Sequence, residues 1–152
     1  MTITPHALAG AAIGSKIHSY WLVAVLALAS HYILDMIPHK EYDTGDLDRR
    51  VFGKGMIIDL GKIALDFSVA LVLGFFLTKD RADMGYVFAG MFFGILPDIL
   101  TYLKILLRFP LPRFMQDFHV KIHFLNKREI PDWIKVSSQV VVAVVSIIIL
   151  IK

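Results

Sequence analysis

Three residues able to ligate a metal recur at intervals of four along the chain: His31, Asp35 and His39. On an α-helix four residues advance about 400°, so the three side chains would fan over about 80° of one face, with about 6 Å of rise between neighbours. Adjacent members at that spacing can share a cation, as other histidine pairs one turn apart do. The outer two, about 12 Å apart along the axis, would not reach one ion together. The spacing therefore predicts a carboxylate at Asp35 lying between two cations, one nearer His31 and one nearer His39. Two-metal centres of this kind, with ions about 3.5–4 Å apart, support hydrolysis. The simpler reading is that His31 and Asp35 satisfy one another inside a helix bundle.

Other acids and imidazoles extend the set. Asp66 lies in the middle of an apolar run and Asp98 follows Pro97 inside another. A carboxylate at such depth is costly unless it is compensated, and it usually faces a cavity, a proton path or an ion. Lys62, one turn from Asp66, is the ordinary partner there; Asp98 has none so close. His119 and His123 form a second pair one turn apart, and His6 stands near the start of the chain. The predicted metal ligands are thus His6, His31, Asp35, His39, Asp66, Asp98, His119 and His123, holding two or three divalent ions. With no cysteine in the chain, thiolate sites and disulfides are excluded. Imidazole and carboxylate donors favour zinc, with manganese or iron as alternatives. Asp43 and Glu41, the loop acids nearest His39, are the candidate general bases, while Asp46 and Asp48 read as a solvated loop. Asp59 either faces the site or caps local structure, and His18 reads as surface or interface. Lys40, Arg108 and Lys121 are placed to hold an anionic headgroup.

The elements that must carry these residues are membrane helices. The 152 residues are 57% hydrophobic and 19% charged, with a mean hydropathy of +0.65, against about 45–50% and about 25% in an ordinary soluble domain. Apolar stretches near the ~20 residues of a span run over 20–37, 63–77 (extending back to 56), 86–107 and 136–151. Ahead of them, 5–17 is rich in small residues and too short to span. Thr4 followed by Pro5 predicts a helix start there, and 15–19 a turn into an antiparallel hairpin. Gly10 and Gly14 offer a small face on which those two backbones could approach. Between Pro112 and Pro131, residues 113–125 form an amphipathic segment. The expected fold is all-α: a single domain over 1–152, a polytopic membrane helix bundle with a short N-terminal helix hairpin and an amphipathic interfacial helix.

Charge sets the expected orientation. With that topology, Lys40, Arg49, Arg50, Lys54, Lys104, Arg108, Arg113, Lys121, Lys127, Arg128 and Lys135 share one side with the N-terminus, against Lys16, Lys79, Arg81 and Lys152 on the other. Basic loops stay in the cytoplasm, which places His6, His39, Asp98, His119 and His123 toward the cytoplasm.

Four stretches together resemble a known family: ThrProHisAlaLeuAlaGlyAlaAlaIleGly (4–14), SerHisTyrIleLeuAspMetIleProHis (30–39), LeuProAsp (96–98) and PheHisValLysIleHis (118–123). They resemble the predicted membrane-bound metal-dependent hydrolases, whose best-known members are LexA-regulated bacterial inner-membrane proteins. Near the second histidine pair, where related proteins often show HisArg and ThrHisSer, this chain has HisVal and IleHisPhe. The ligand types are also distantly similar to those of zinc-dependent phospholipase C and the S1/P1 nucleases. The resemblance implies a hydrolase acting on a phosphoester or related ester, with a phospholipid or other anionic small molecule as substrate and the lipid bilayer as partner. Two other classes remain open: a small metal-ion-binding or ion-translocating membrane protein, whose polar groups would lie on both sides of the midplane, and a structural protein whose metal only ties helices together. No basic motif with interleaved aromatics points to nucleic acid.

Overall fold

The computed structural model describes residues 1–49, 52–122 and 129–152. In chain order the elements are α1 (Ile3–Gly14), α2 (Tyr20–Asp35), α3 (Gly45–Asp48), α4 (Lys54–Thr78), α5 (Met84–Leu107), α6 (Arg113–Ile122) and α7 (Asp132–Ile151), with no strand among the described residues. The all-α bundle that the sequence predicts is the observed fold.

Three helices, α4, α5 and α7, are long and apolar enough to cross a membrane. At 1.5 Å per residue they measure about 37, 36 and 30 Å, against a hydrocarbon core of about 30 Å. Their outward faces carry Leu65, Val72 and Phe76 on α4 and Val141, Val144 and Val145 on α7, all exposed, while His6, His31, Asp35 and Gln139 are buried. Polar groups inside and apolar groups outside suit lipid as the solvent, and the chain is a membrane protein. Helix α2 ends at Asp35, two residues short of the expected boundary. Pro38 accounts for this, because it disfavours helical backbone at Ile37. At about 24 Å, α2 is too short to span on its own.

The shortest of the large helices is the most enclosed. Helix α1, about 18 Å long, packs against α2, α4, α5 and α7. It is apolar nearly all round, as a helix buried on every face must be. The hairpin across 15–19 forms as expected, but Gly10 and Gly14 turn to α5 rather than to α2. A Cβ at Gly10 would lie 2.0 Å from the carbonyl oxygen of Gly90, and one at Gly14 2.1 Å from that of Tyr86. From the other side, a Cβ on Gly94 would meet the His6 carbonyl oxygen at 2.7 Å. Glycine on both helices lets the backbones touch, the usual solution where lipid offers no hydrophobic force between helices.

The start of α1 also differs from expectation. The helix begins at Ile3 with Thr2 as N-cap, and no side chain of its own caps it. Its first amide hydrogens need partners, and here neighbouring helices supply them. Thr2 N–H donates to Gln139 Oε1 of α7 at 3.1 Å, Thr4 N–H donates to Asp66 Oδ2 of α4 at 3.1 Å, and Pro5 has no amide hydrogen to satisfy. At the opposite end of the bundle Arg81 donates to the carbonyls of Leu150 (2.9 Å) and Ser15 (3.5 Å), the ends of α7 and α1, and chelates Asp83 through two hydrogen bonds.

Candidate metal centre

Helices α1, α2 and α5 bring His6, His31, Asp35 and Asp98 together, and the chain beyond α2 adds His39 and Glu41. The hub is Asp35. Its Oδ1 lies 3.0 Å from His6 Nε2, 3.8 Å from His39 Nε2 and 2.7 Å from the Met1 amino group; its Oδ2 lies 3.1 Å from His31 Nε2. His31 Nε2 is also 3.8 Å from Asp98 Oδ1, and His39 Nε2 is 3.4 Å from Glu41 Oε1. The His6 and His31 rings stack with centroids 4.1 Å apart.

His39 arrives by a route the spacing did not predict. It is not on the helix of His31 and Asp35, because α2 stops at Asp35. Released from the helix, the chain turns at Pro38 and returns His39 to the same carboxylate. The 12 Å separation expected along a helix axis therefore does not apply.

Backbone carbonyls fix how two of the rings present themselves. His31 Nδ1 lies 2.8 Å from the Gly94 carbonyl oxygen and His39 Nδ1 lies 2.7 Å from that of Ile37. A carbonyl only accepts, so each Nδ1 carries the hydrogen and each Nε2 faces the carboxylates. Pro97 sits inside α5 without breaking it. It donates no hydrogen bond to the preceding turn, in the stretch where the Gly94 carbonyl takes the His31 ring. A carbonyl or carboxylate behind the distal nitrogen is the usual support of a metal-binding histidine, setting tautomer and ring orientation.

The donor set fits a divalent cation on two observations. One ligand atom from each of His6, His31 and Asp98 lies within 4.8 Å of the others, close enough that small side-chain adjustments would bring all three to the 2.0–2.2 Å or so of zinc–nitrogen and zinc–oxygen bonds. His6 Nδ1 is a buried ring nitrogen with no hydrogen-bond partner, and such groups normally have one.

The remaining predicted residues lie elsewhere. Asp66 is engaged by α1 and the loop: Thr4 Oγ1 donates to its Oδ1 at 2.6 Å, and the Tyr42 hydroxyl donates to its Oδ2. It thus places a negative charge at the N-terminus of α1, where the helix dipole favours one. Asp59 accepts from Leu47 N–H and from Lys62, which also reaches the Asp43 carbonyl. The Asp43 carboxylate accepts from Gly45 N–H, leaving Glu41 as the candidate base beside His39. Lys40 pairs with Asp132; Arg108, in the left-handed conformation that ends α5, and Lys121 on α6 are exposed. His119 falls within α6, but its side chain lies outside what is described, and His123 lies outside the described residues altogether. Three contributors had no signal in the spacing of ligand types: Tyr32, whose ring meets His31 edge-on at 5.3 Å, and Tyr42 and Gln139, which brace α1. Compared with protein-family models, curated proteins and solved structures, the chain matches none.

Proposed function

We propose that the protein is a membrane-embedded, metal-dependent hydrolase of a phosphoester or related ester, with ligands drawn from His6, His31, Asp35, His39 and Asp98. The observation that carries this is the orientation of His31 and His39, both anchored at Nδ1 on a backbone carbonyl and both turning Nε2 toward carboxylates. Facing a carboxylate, each Nε2 needs either a second proton or a shared cation.

A divalent cation held there, zinc first, would supply Lewis-acid activation of water and neutralise charge developing on the attacked group. Glu41, half exposed and 3.4 Å from His39, is placed to take a proton from the attacking water. The water oxygen bonds to phosphorus, the ester P–O bond breaks, and the leaving oxygen takes the proton back from Glu41. His6, whose Nδ1 is left for a cation, holds Asp35 through Nε2 at 3.0 Å, and Glu41 lies beside His39 at the edge of the centre. The family resemblance supports the same reaction class and an inner-membrane protein, and the excess of Lys and Arg in the sequence of the loops on the centre's side supports a site toward the cytoplasm.

The ion-path alternative has less support, since within the described helices the buried acids and imidazoles crowd toward one end. A metal-free polar cluster is favoured by the His6–Asp35 and His31–Asp35 separations of 3.0 and 3.1 Å, ordinary hydrogen-bond lengths. Metal analysis of detergent-purified protein separates the two readings. The hydrolase reading expects about two divalent transition ions per chain, most of them lost in both His31→Ala and Asp35→Ala. Wild-type protein without metal, or full metal in both variants, refutes it and leaves the polar cluster.

A further inference from the structure

The centre sits deep in the bundle. Asp98 lies nine residues before the end of α5, about 14 Å below it, and Gln139, level with the start of α1, lies seven residues into α7, about 11 Å down. From the near end, the segment 36–44 between α2 and α3, which carries His39, is tied on several sides. Ser138 of α7 donates to the Pro38 carbonyl at 2.5 Å, Lys40 pairs with Asp132, Tyr42 bonds Asp66, and Lys62 donates to the Asp43 carbonyl at 2.8 Å.

The side of the bundle is more open. His6, His31, Asp35 and His39 are at most 1% exposed, whereas the Asp98 side chain is 16% exposed. Between Asp98 and the near end of the bundle the outward surface is apolar: Ile33 of α2, Met36 just beyond it, and Leu106 and Leu107 at the end of α5 are exposed. Helix α6 borders it. Phe118 rests on Tyr32 with ring centroids 5.1 Å apart, and Tyr32 in turn touches His31. The helix exposes Phe114 and Phe118 together with Arg113 and Lys121, and Asp117 is the single acid among its described side chains. An amphipathic helix with aromatic and basic faces lies at the membrane interface and draws anionic headgroups to it.

We propose that the substrate is an anionic, phosphate-bearing membrane lipid that reaches the centre laterally, along the edge formed by the end of α2, the second half of α5 and α6. This deepens the hydrolase reading and rests on it. The acyl chains would stay against the apolar residues of α2 and α5 while the phosphate passes between the basic residues of α6 and Asp98. A soluble phosphoester would have no use for such an edge.

The test is photolabelling of the protein in nanodiscs, using phosphatidic acid with a diazirine in its acyl chain and an equally labelled phosphatidylcholine. Phosphatidic acid should label peptides covering 32–37 and 113–122 at least 10-fold more than phosphatidylcholine. Unlabelled phosphatidic acid should compete, and glycerol 3-phosphate at the same concentration should not. Arg113→Glu/Lys121→Glu should cut the labelling several-fold while leaving metal content and helicity unchanged. Equal labelling by both lipids, competition by glycerol 3-phosphate, or labelling confined to other helices overturns the proposal. Metal content measured on the same preparations keeps the two ideas apart: metal present with unselective labelling removes only the lipid, and metal absent removes the hydrolase.

Discussion

Replacing Gly10 by alanine tests the contact on which the position of α1 depends. The added Cβ would lie 2.0 Å from the Gly90 carbonyl oxygen. Restoring an ordinary separation of about 3.4 Å means moving the backbones about 1.4 Å apart, since neither neighbour is a flexible side chain. Overpacking of this kind costs about 1–3 kcal/mol, and backbone against backbone belongs at the upper end. Alanine restores about 1 kcal/mol of helix propensity, so the net loss is about 2 kcal/mol. Gly61 on α4 is the control, because a Cβ there meets nothing within 4 Å; Gly61→Ala should gain up to about 1 kcal/mol. Equilibrium unfolding in mixed micelles, followed by far-ultraviolet circular dichroism, should therefore separate the two variants by about 3 kcal/mol. Gly10 is one turn from His6, so at the proposed metal centre a shift of this size would also exceed the ~0.2 Å tolerance of metal–ligand bonds, and on that proposal Gly10→Ala should lose metal where Gly61→Ala does not. Two variants of equal stability would show that the helices are not in backbone contact.

Asp66→Asn should lower stability by about 1–2 kcal/mol, the worth of charge-assisted hydrogen bonds at a helix start, while keeping the metal content of wild type; metal loss equal to that of Asp35→Ala would make Asp66 a ligand. Arg81 beside Asp83 holds that carboxyl below its usual range. A carboxylate depressed by folding stabilises above its unfolded value of about 3.9, and that contribution disappears as pH falls through the lower folded value. Asp83→Asn should thus be less stable than wild type at pH 7 and converge with it as the pH falls below the ordinary carboxylate range, and a gap independent of pH would rule out the pairing. Because the chain lacks cysteine, Phe52→Cys and Lys79→Cys provide unique thiols near opposite ends of α4; in sealed, oriented vesicles an impermeant maleimide should label only one of them from a given side, and labelling of both would contradict the bundle.

What the sequence made legible follows from how local each signal is. The spans of α4, α5 and α7 rest on length and apolarity alone, and the turn at 15–19 on polar residues between two apolar runs. His31 and Asp35 meet because one helical turn separates them. Other features depend on partners distant in the chain. Gly10 and Gly14 advertise a close approach without naming the helix that makes it, which is α5. Asp66 reads as a ligand because a carboxylate in an apolar run needs compensation, yet the amide of Thr4 and the hydroxyl of Tyr42 provide it. His39 differs for another reason: the interval of four suggests a continuous helix, although Pro38 carries the signal that ends it.

The bracing of α1 has a consequence for biosynthesis. This helix leaves the ribosome before α4 and α7, yet it is too short to cross a bilayer, and its initial amides are satisfied by Asp66 and Gln139, made later. Unpaired amides in hydrocarbon cost several kcal/mol each. The N-terminal hairpin therefore settles into its final place only after α7 has been inserted, and a nascent chain stalled before Gln139 would leave α1 at the bilayer surface or in the care of the insertion machinery.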